Sequence, residues 1–275
     1  MRHEESKLFL VLLALIAFCG VSNSGSLEPP GPPAPTMKNL SDVEPRIAIR
    51  NDYDTLTPVV ISFSGSYYLA EDIYGFHGAH GIEIQVDDVT LDLNGFSIIG
   101  NIEVGSLDGI SAGTLNNITV RNGRVRQFQR GVMINAGNGS IVENVQASLN
   151  GLIGGGGQGI QISNGVIRNC AAIGNAGTGI VAYGGVIENS AADGNGGDGL
   201  VVGDGVIRGS VSDNNGGHGI SGSLGALIVN NVSSGNTGSG ISSHGVSSVI
   251  GNLTTDNTGA EISAAGALIL NNKTN

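Results

Sequence analysis

Four side chains in the second half of the chain have the types and spacing that acid–base or metal chemistry uses: Asp193, Asp198, Asp213 and His218. Asp193 and Asp213 are twenty residues apart, and so are Asp198 and His218. In a chain that coils with that period, each pair falls on adjacent strands about 4.8 Å apart. Two carboxylates so placed repel unless a proton or cation sits between them. The spacing therefore admits a weak Ca²⁺ site at Asp193 and Asp213, or an acid–base pair that includes His218. The plainer expectation is a solvated polar corner, so no catalytic, cofactor-binding or metal residue is assigned.

Other reactive types read as structural. Cys170 lies in an apolar stripe and is expected to be a small core residue rather than a nucleophile. Asp87, Asp88 and Asp92 precede the turn signal Asn94-Gly95 and are expected at coil corners. Arg121, Arg124, Arg126 and Arg130 form the one basic cluster, expected on a strand face where an acidic glycan or a partner is the alternative to solvent.

The elements that must position these residues are repeats. From Gly157 the unit opens Gly-x-Gly-Ile, with starts at 157, 177, 197, 217, 238 and 259, a spacing of 20 to 21 residues. Less regular coils begin near His80, Asp108 and Arg130. A fixed period in this range means a solenoid. Each unit holds two Ile/Val-rich runs and one Ala/Ser-rich run separated by Gly and Asn, which reads as three short strands with tight corners. Stacked in register, Ile160/Ile162, Ile180/Ala182, Leu200/Val202 and Ile220 form an inward ladder. Glu143, Arg168, Glu188 and Arg208 alternate in sign. Asn144, Asn169, Asn189, Asn230 and Asn271 share a column that Gly209 interrupts. Asn150, Asn175, Asn195, Asn215, Asn236 and Asn257 form an unbroken one, expected to supply the left-handed corner conformation and to hydrogen-bond from coil to coil. Eight or nine coils over residues 79–275 give a rod on the order of 40 Å long.

Composition agrees with a thin core. Glycine accounts for 47 of 275 residues, aromatics for 4% and charged residues for 13%. The net charge of −11, with 12 Lys and Arg, argues against nucleic acid as a partner. Residues 1–24 read as a secretory signal peptide, whose apolar run Leu8–Phe18 is too short to span a membrane. Lipid anchoring through Cys19 is the alternative. Residues 25–57 are a Pro-rich linker and lead-in, and residues 58–78, where aromatics gather, are expected to cap the helix at 79–275.

The segments MKNLSDVEPRIAI (37–49), FSGSYYL (63–69), GIEIQVDDVTLDLNGFSIIG (81–100) and NITVRNGRVRQF (117–128) resemble the exported bacterial right-handed parallel β-helix repeat proteins of the pectin-lyase-like superfamily. That resemblance implies the right hand of the helix and export. Carbohydrate-active members use the outer face of one strand ladder. Here that row reads Gln161, Val181, Val201, Ser221, Ser242, Ser263, without the base of a lyase or the carboxyl pair of a hydrolase. Gly217-His218-Gly219 looks like the Gly-His-Gly of polygalacturonases, but His218 fills the variable position of the repeat, and the family's Asp motifs have no match. The expectation is an all-β, exported, non-catalytic rod for structure, adhesion or glycan recognition. The alternative is a polysaccharide lyase, hydrolase or epimerase. Expected partners are an extracellular polysaccharide or a cell-surface component, together with self-association through the open C-terminal coil.

Overall fold

The computed structural model describes residues 44–51, 57–76, 78–101, 107–135, 137–152, 156–223 and 225–275. The expected signal peptide, Cys19 and most of the Pro-rich segment lie outside the described residues. Pro45–Asn275 form one compact unit built from β-strands and turns.

Ten coils stack in parallel. The first strands of successive coils form a ten-stranded sheet running from Val59–Ile61 through Ile82–Ile84, Asp108–Ala112 and Arg130–Ile134 to Ile262–Ala265. The second and third strands join in a nineteen-stranded sheet around the remaining two sides. In the third and fourth coils these two strands are continuous, as Thr119–Arg126 and Ile141–Ser148. Ile47–Ile49, paired with Tyr67–Leu69, are one of those nineteen strands and precede the first coil.

The count exceeds the eight or nine expected over residues 79–275 because the segment ahead of them forms a coil of its own in the stack. Val59–Ile61 pair in parallel with Ile82–Ile84, and Gly65–Tyr68 with Val89–Asp92. The aromatic segment is itself a coil in register. Tyr67 is buried, with its hydroxyl donating to the Phe63 carbonyl at 2.6 Å.

The inward ladder is as expected. Ile160, Ile162, Ile180, Ala182, Leu200, Val202 and Ile220 are buried and stacked on one another. Small β-branched and Ala side chains suit this core because parallel strands bring three walls close together around one narrow interior. At the last coil Leu268, Ile269 and Leu270 are about half exposed.

The two Asn columns divide their roles differently from the expectation. Left-handed backbone belongs to the interrupted column: Asn94, Asn122, Asn144, Asn169, Asn189, Asn230 and Asn271 have φ between 49° and 61°, and Gly209 and Gly251 adopt the same conformation there. This residue turns the chain from second to third strand, and Asn and Gly are the types that reach αL cheaply. The unbroken column is instead an internal amide ladder, with Asn150, Asn175, Asn195, Asn215 and Asn236 at most 1% exposed. From Asn175 onward each Oδ1 accepts from the backbone N–H and Nδ2 of the preceding coil's Asn; for Asn195 accepting from Asn175 the distances are 3.0 and 2.8 Å, while Asn150 Oδ1 starts the ladder by accepting the Phe128 N–H at 3.1 Å.

That ladder also accounts for the second glycine of Gly-x-Gly-Ile. A Cβ on Gly199 would sit 2.6 Å from Asn215 Nδ2 and 2.7 Å from the Gly219 carbonyl. The backbone must pass against the amides there, so no side chain fits.

The charge column is longer than the sequence pattern suggested. Asp92 and Arg121 continue it, in register with Glu143. Arg121 Nε donates to Asp92 at 3.1 Å, Arg168 Nε to Glu143 at 2.8 Å, and Arg208 Nε to Glu188 at 2.8 Å. Asp92 is therefore part of a strand ion pair. Asp88, with φ of 59°, is the corner residue expected. Beside it, hydrogen bonds from the backbone and side chain of Asn116 hold the Asp87 carboxyl below its usual pKa.

Candidate functional site

The outer face of the first-strand sheet carries one row through all ten coils: Val60, Glu83, Ser111, Met133, Gln161, Val181, Val201, Ser221, Ser242, Ser263. From Gln161 onward it is the uncharged row read from the sequence. The earlier coils add Glu83, a carboxylate that the regular repeats did not contain. Its Oε1 accepts from Gln85 Nε2 at 3.0 Å.

Two residues before each first-strand core position runs the variable column of the Gly-x-Gly unit. By register it reads His80, Asp108, Arg130, Gln158, Thr178, Asp198, His218, Ser239. At its N-terminal end three ionisable groups meet. Asp108 is 1% exposed. Arg130 grips it with two hydrogen bonds, Nε to Oδ1 at 2.6 Å and a terminal nitrogen to Oδ2 at 3.1 Å. His80 Nδ1 accepts the Asp108 backbone N–H at 3.2 Å and lies 3.4 Å from Asp108 Oδ2. A buried carboxylate persists only with such partners, since isolated burial of the charge is costly.

Arg130 then forms one wall of an open groove of about 490 Å³, lined also by Gln129, Met133, Gly156, Gly157, Gln158 and Gln161. The glycines remove side chains from one side. The amides of Gln158 and Gln161 offer donors and acceptors, and Met133 supplies an apolar patch that is 8% exposed. Gln161 Nε2 reaches Asn135 Oδ1 at 3.5 Å. The sequence marked His80, Asp108 and Arg130 as coil starts, so their adjacency was readable; what it lacked was the burial of Asp108.

The four residues singled out first fall into two separate columns. Asp193 and Asp213 are in direct register, as expected. Asp213 accepts from Ser234 Oγ at 2.7 Å, and Asp193 from Asn214 Nδ2 at 3.4 Å. Asp198 accepts the His218 backbone N–H at 2.7 Å and the Ser221 hydroxyl at 2.8 Å. His218 Nδ1 in turn accepts the Ser239 N–H at 2.9 Å. Asp198 and His218 thus cap the backbone of the next coil. Among the described residues no three His, Cys, Asp or Glu side chains converge as a metal site would require.

The basic cluster is dispersed. Arg121 belongs to the charge column and Arg130 to Asp108, while Arg124 and Arg126 stand on the outer third-strand face in register with Ser97 and Ile99. Cys170 is buried at 3% exposure, and burial pushes its thiol up to about 11. It stacks above Ser190, whose Oγ accepts the Cys170 N–H at 3.2 Å. It is the core residue expected. No helix among the described residues is long and apolar enough to cross a membrane.

Residues 47–206 match the family model described as the right-handed β-helix region, more than half of the chain, and the protein belongs to that family. No curated protein sequence matches it. Among solved structures it is similar to the Dettilon tailspike protein, with TM-score 0.59 and 13% identity over 80% of this chain and 53% of that one. It thus spans about half the length of the tailspike chain. It is also similar to the A-module of the Azotobacter vinelandii mannuronan C-5 epimerase AlgE4, with TM-score 0.53, 17% identity and 78% of each chain covered. The periplasmic alginate epimerase AlgG has TM-score 0.52 and 13% identity, with 77% of this chain and 69% of that one covered. At these identities the likeness is one of fold.

Proposed function

We propose that the protein is an exported, non-catalytic β-helix rod that recognises an extracellular glycan along the outer face of its first-strand sheet. The observation that carries this reading is the groove beside Arg130. It is open, spans two adjacent coils, and among the described residues is lined by amides, glycines, Met133 and Arg130 with no carboxylate. Amides pair with sugar hydroxyls in both directions, and a Met side chain packs against sugar C–H faces. Parallel coils about 4.8 Å apart set Met133 and Gln161 in line along the stack, which suits a polymer better than a compact ligand. The fold is shared with proteins named as alginate epimerases and a tailspike, which agrees with a polysaccharide ligand and with work outside the cytoplasm.

The test is binding of the intact protein to a panel of neutral and acidic polysaccharides by affinity electrophoresis. The Gln158→Ala/Gln161→Ala variant is expected to lose about tenfold or more in affinity, the worth of one or two hydrogen bonds. An enzyme acting from the Asp193, Asp198, Asp213 and His218 side is the competing reading. Unsaturated or reducing-end products from the same panel, formed with or without Ca²⁺ and abolished by Asp213→Asn, would establish it instead.

A further inference from the structure

The charges around the groove specify the ligand more narrowly than its shape does. Among the described residues that line the groove, Arg130 is the one charged side chain. Its guanidinium is not a free cation. Two of its nitrogens are bound to the two oxygens of Asp108, whose side chain is 2% exposed, while the Arg130 side chain is 41% exposed. A bidentate pair of this kind presents a dipole to the groove, and its field falls off faster than that of a single charge.

Beyond Asp108 and its neighbour His80, the other charged side chains of these two rows among the described residues are carboxylates. Glu83 lies two coils before Met133 in the outward row, and Asp198 two coils after Gln158 in the variable column. Each is about 10 Å away along the stack, close to one Debye length at ordinary salt. The chain as a whole carries −11. A polymer bearing carboxylate or sulfate groups would meet a neutral contact point inside a negative field, whereas a hydroxyl-only polymer loses nothing there.

We propose that this groove selects neutral glycans and disfavours uronate or sulfated ones, and that Asp108 sets the selectivity by holding Arg130 charge-compensated. The proposal rests on the glycan-binding reading of the same groove and names its ligand class. It runs against the acidic substrate that the epimerase likeness would suggest.

The experiment compares the affinity of the intact protein for a neutral glucan and mannan set with its affinity for polyuronates and sulfated polymers, at low and high salt. The expected result is neutral binding that salt leaves unaltered, and acidic binding at least about tenfold weaker at low salt. Asp108→Asn keeps an acceptor for Arg130 but uncovers one positive charge. It is expected to shift the acidic-to-neutral affinity ratio by about tenfold toward acidic polymers at low salt, and the shift should vanish at high salt. Preference of the unaltered protein for acidic polymers overturns the selectivity while leaving glycan recognition standing. Binding of neither class overturns both. A folded Asp108→Asn protein with an unchanged ratio removes Asp108 from the role. Should that variant fail to fold, the salt response and preference of the unaltered protein decide the selectivity.

Discussion

Replacing one rung of the buried amide ladder separates the two Asn columns by their physics. Asn195 is 1% exposed and makes every hydrogen bond its amide allows along the stack. Its Oδ1 accepts from Asn175 N and Nδ2, and its Nδ2 donates to Asn215 Oδ1 at 2.9 Å and to the Ala172 carbonyl at 3.0 Å. In Asn195→Ala the Asn175 backbone N–H, one Asn175 amide hydrogen and the Ala172 carbonyl each lose a partner. A buried polar group left unpaired costs about 1–3 kcal/mol. A water entering the vacated space relieves part of that, so a loss of about 3–5 kcal/mol is expected. The comparison is Asn189, in the left-handed column with φ of 49°. Asn189→Gly should change stability by a few tenths of a kcal/mol, because Gly209 already serves in the next coil and glycine reaches that conformation freely. Denaturant midpoints followed by circular dichroism measure both, with the slope checked because repeat arrays can unfold in parts. A loss under about 1 kcal/mol for Asn195→Ala, or equal losses at the two positions, would refute the division of roles.

Two further outcomes test the same architecture. Arg168→Glu places three carboxylates in a row, the new one lying between Glu143 and Glu188 by register; as these groups are partly exposed, the loss should be about 1 kcal/mol at low salt and smaller at high salt, read from midpoints in both. Cys170 should resist alkylation in the native chain near neutral pH and react once denatured. Its thiol is raised from 9.0 to about 11 in the fold, so the neutral form is favoured there. The stability this contributes is fully present below about pH 9 and is lost as pH rises toward 11, an effect of up to about 2–3 kcal/mol. Rapid labelling of the native protein, or stability flat over that pH range, would contradict the buried position.

The solenoid, its period, the inward Ile ladder and the alternation from Glu143 to Arg208 were all legible in the chain itself. They depend on residues one period apart, and in a parallel stack sequence period and spatial neighbourhood are the same relation. The neutral outer row from Gln161 onward was legible for that reason too. Where the period was irregular, the tertiary structure decided. Val59–Tyr74 show no repeat signature in the sequence, and their strand hydrogen bonds put them in the stack. Asp92 and Arg121 sit 29 residues apart, off the later period, and meet because their strands pair in register. Which Asn column turns the corner and which lies inside cannot be read from residue type, since Asn serves both; the side on which each Cα faces the core settles it. The groove beside Arg130 belongs to the same class. Arg130 and Gln158 sit in the variable column of the repeat and Met133 and Gln161 in the outward row, and only the paired hydrogen bonds to buried Asp108 show that Arg130 is already compensated.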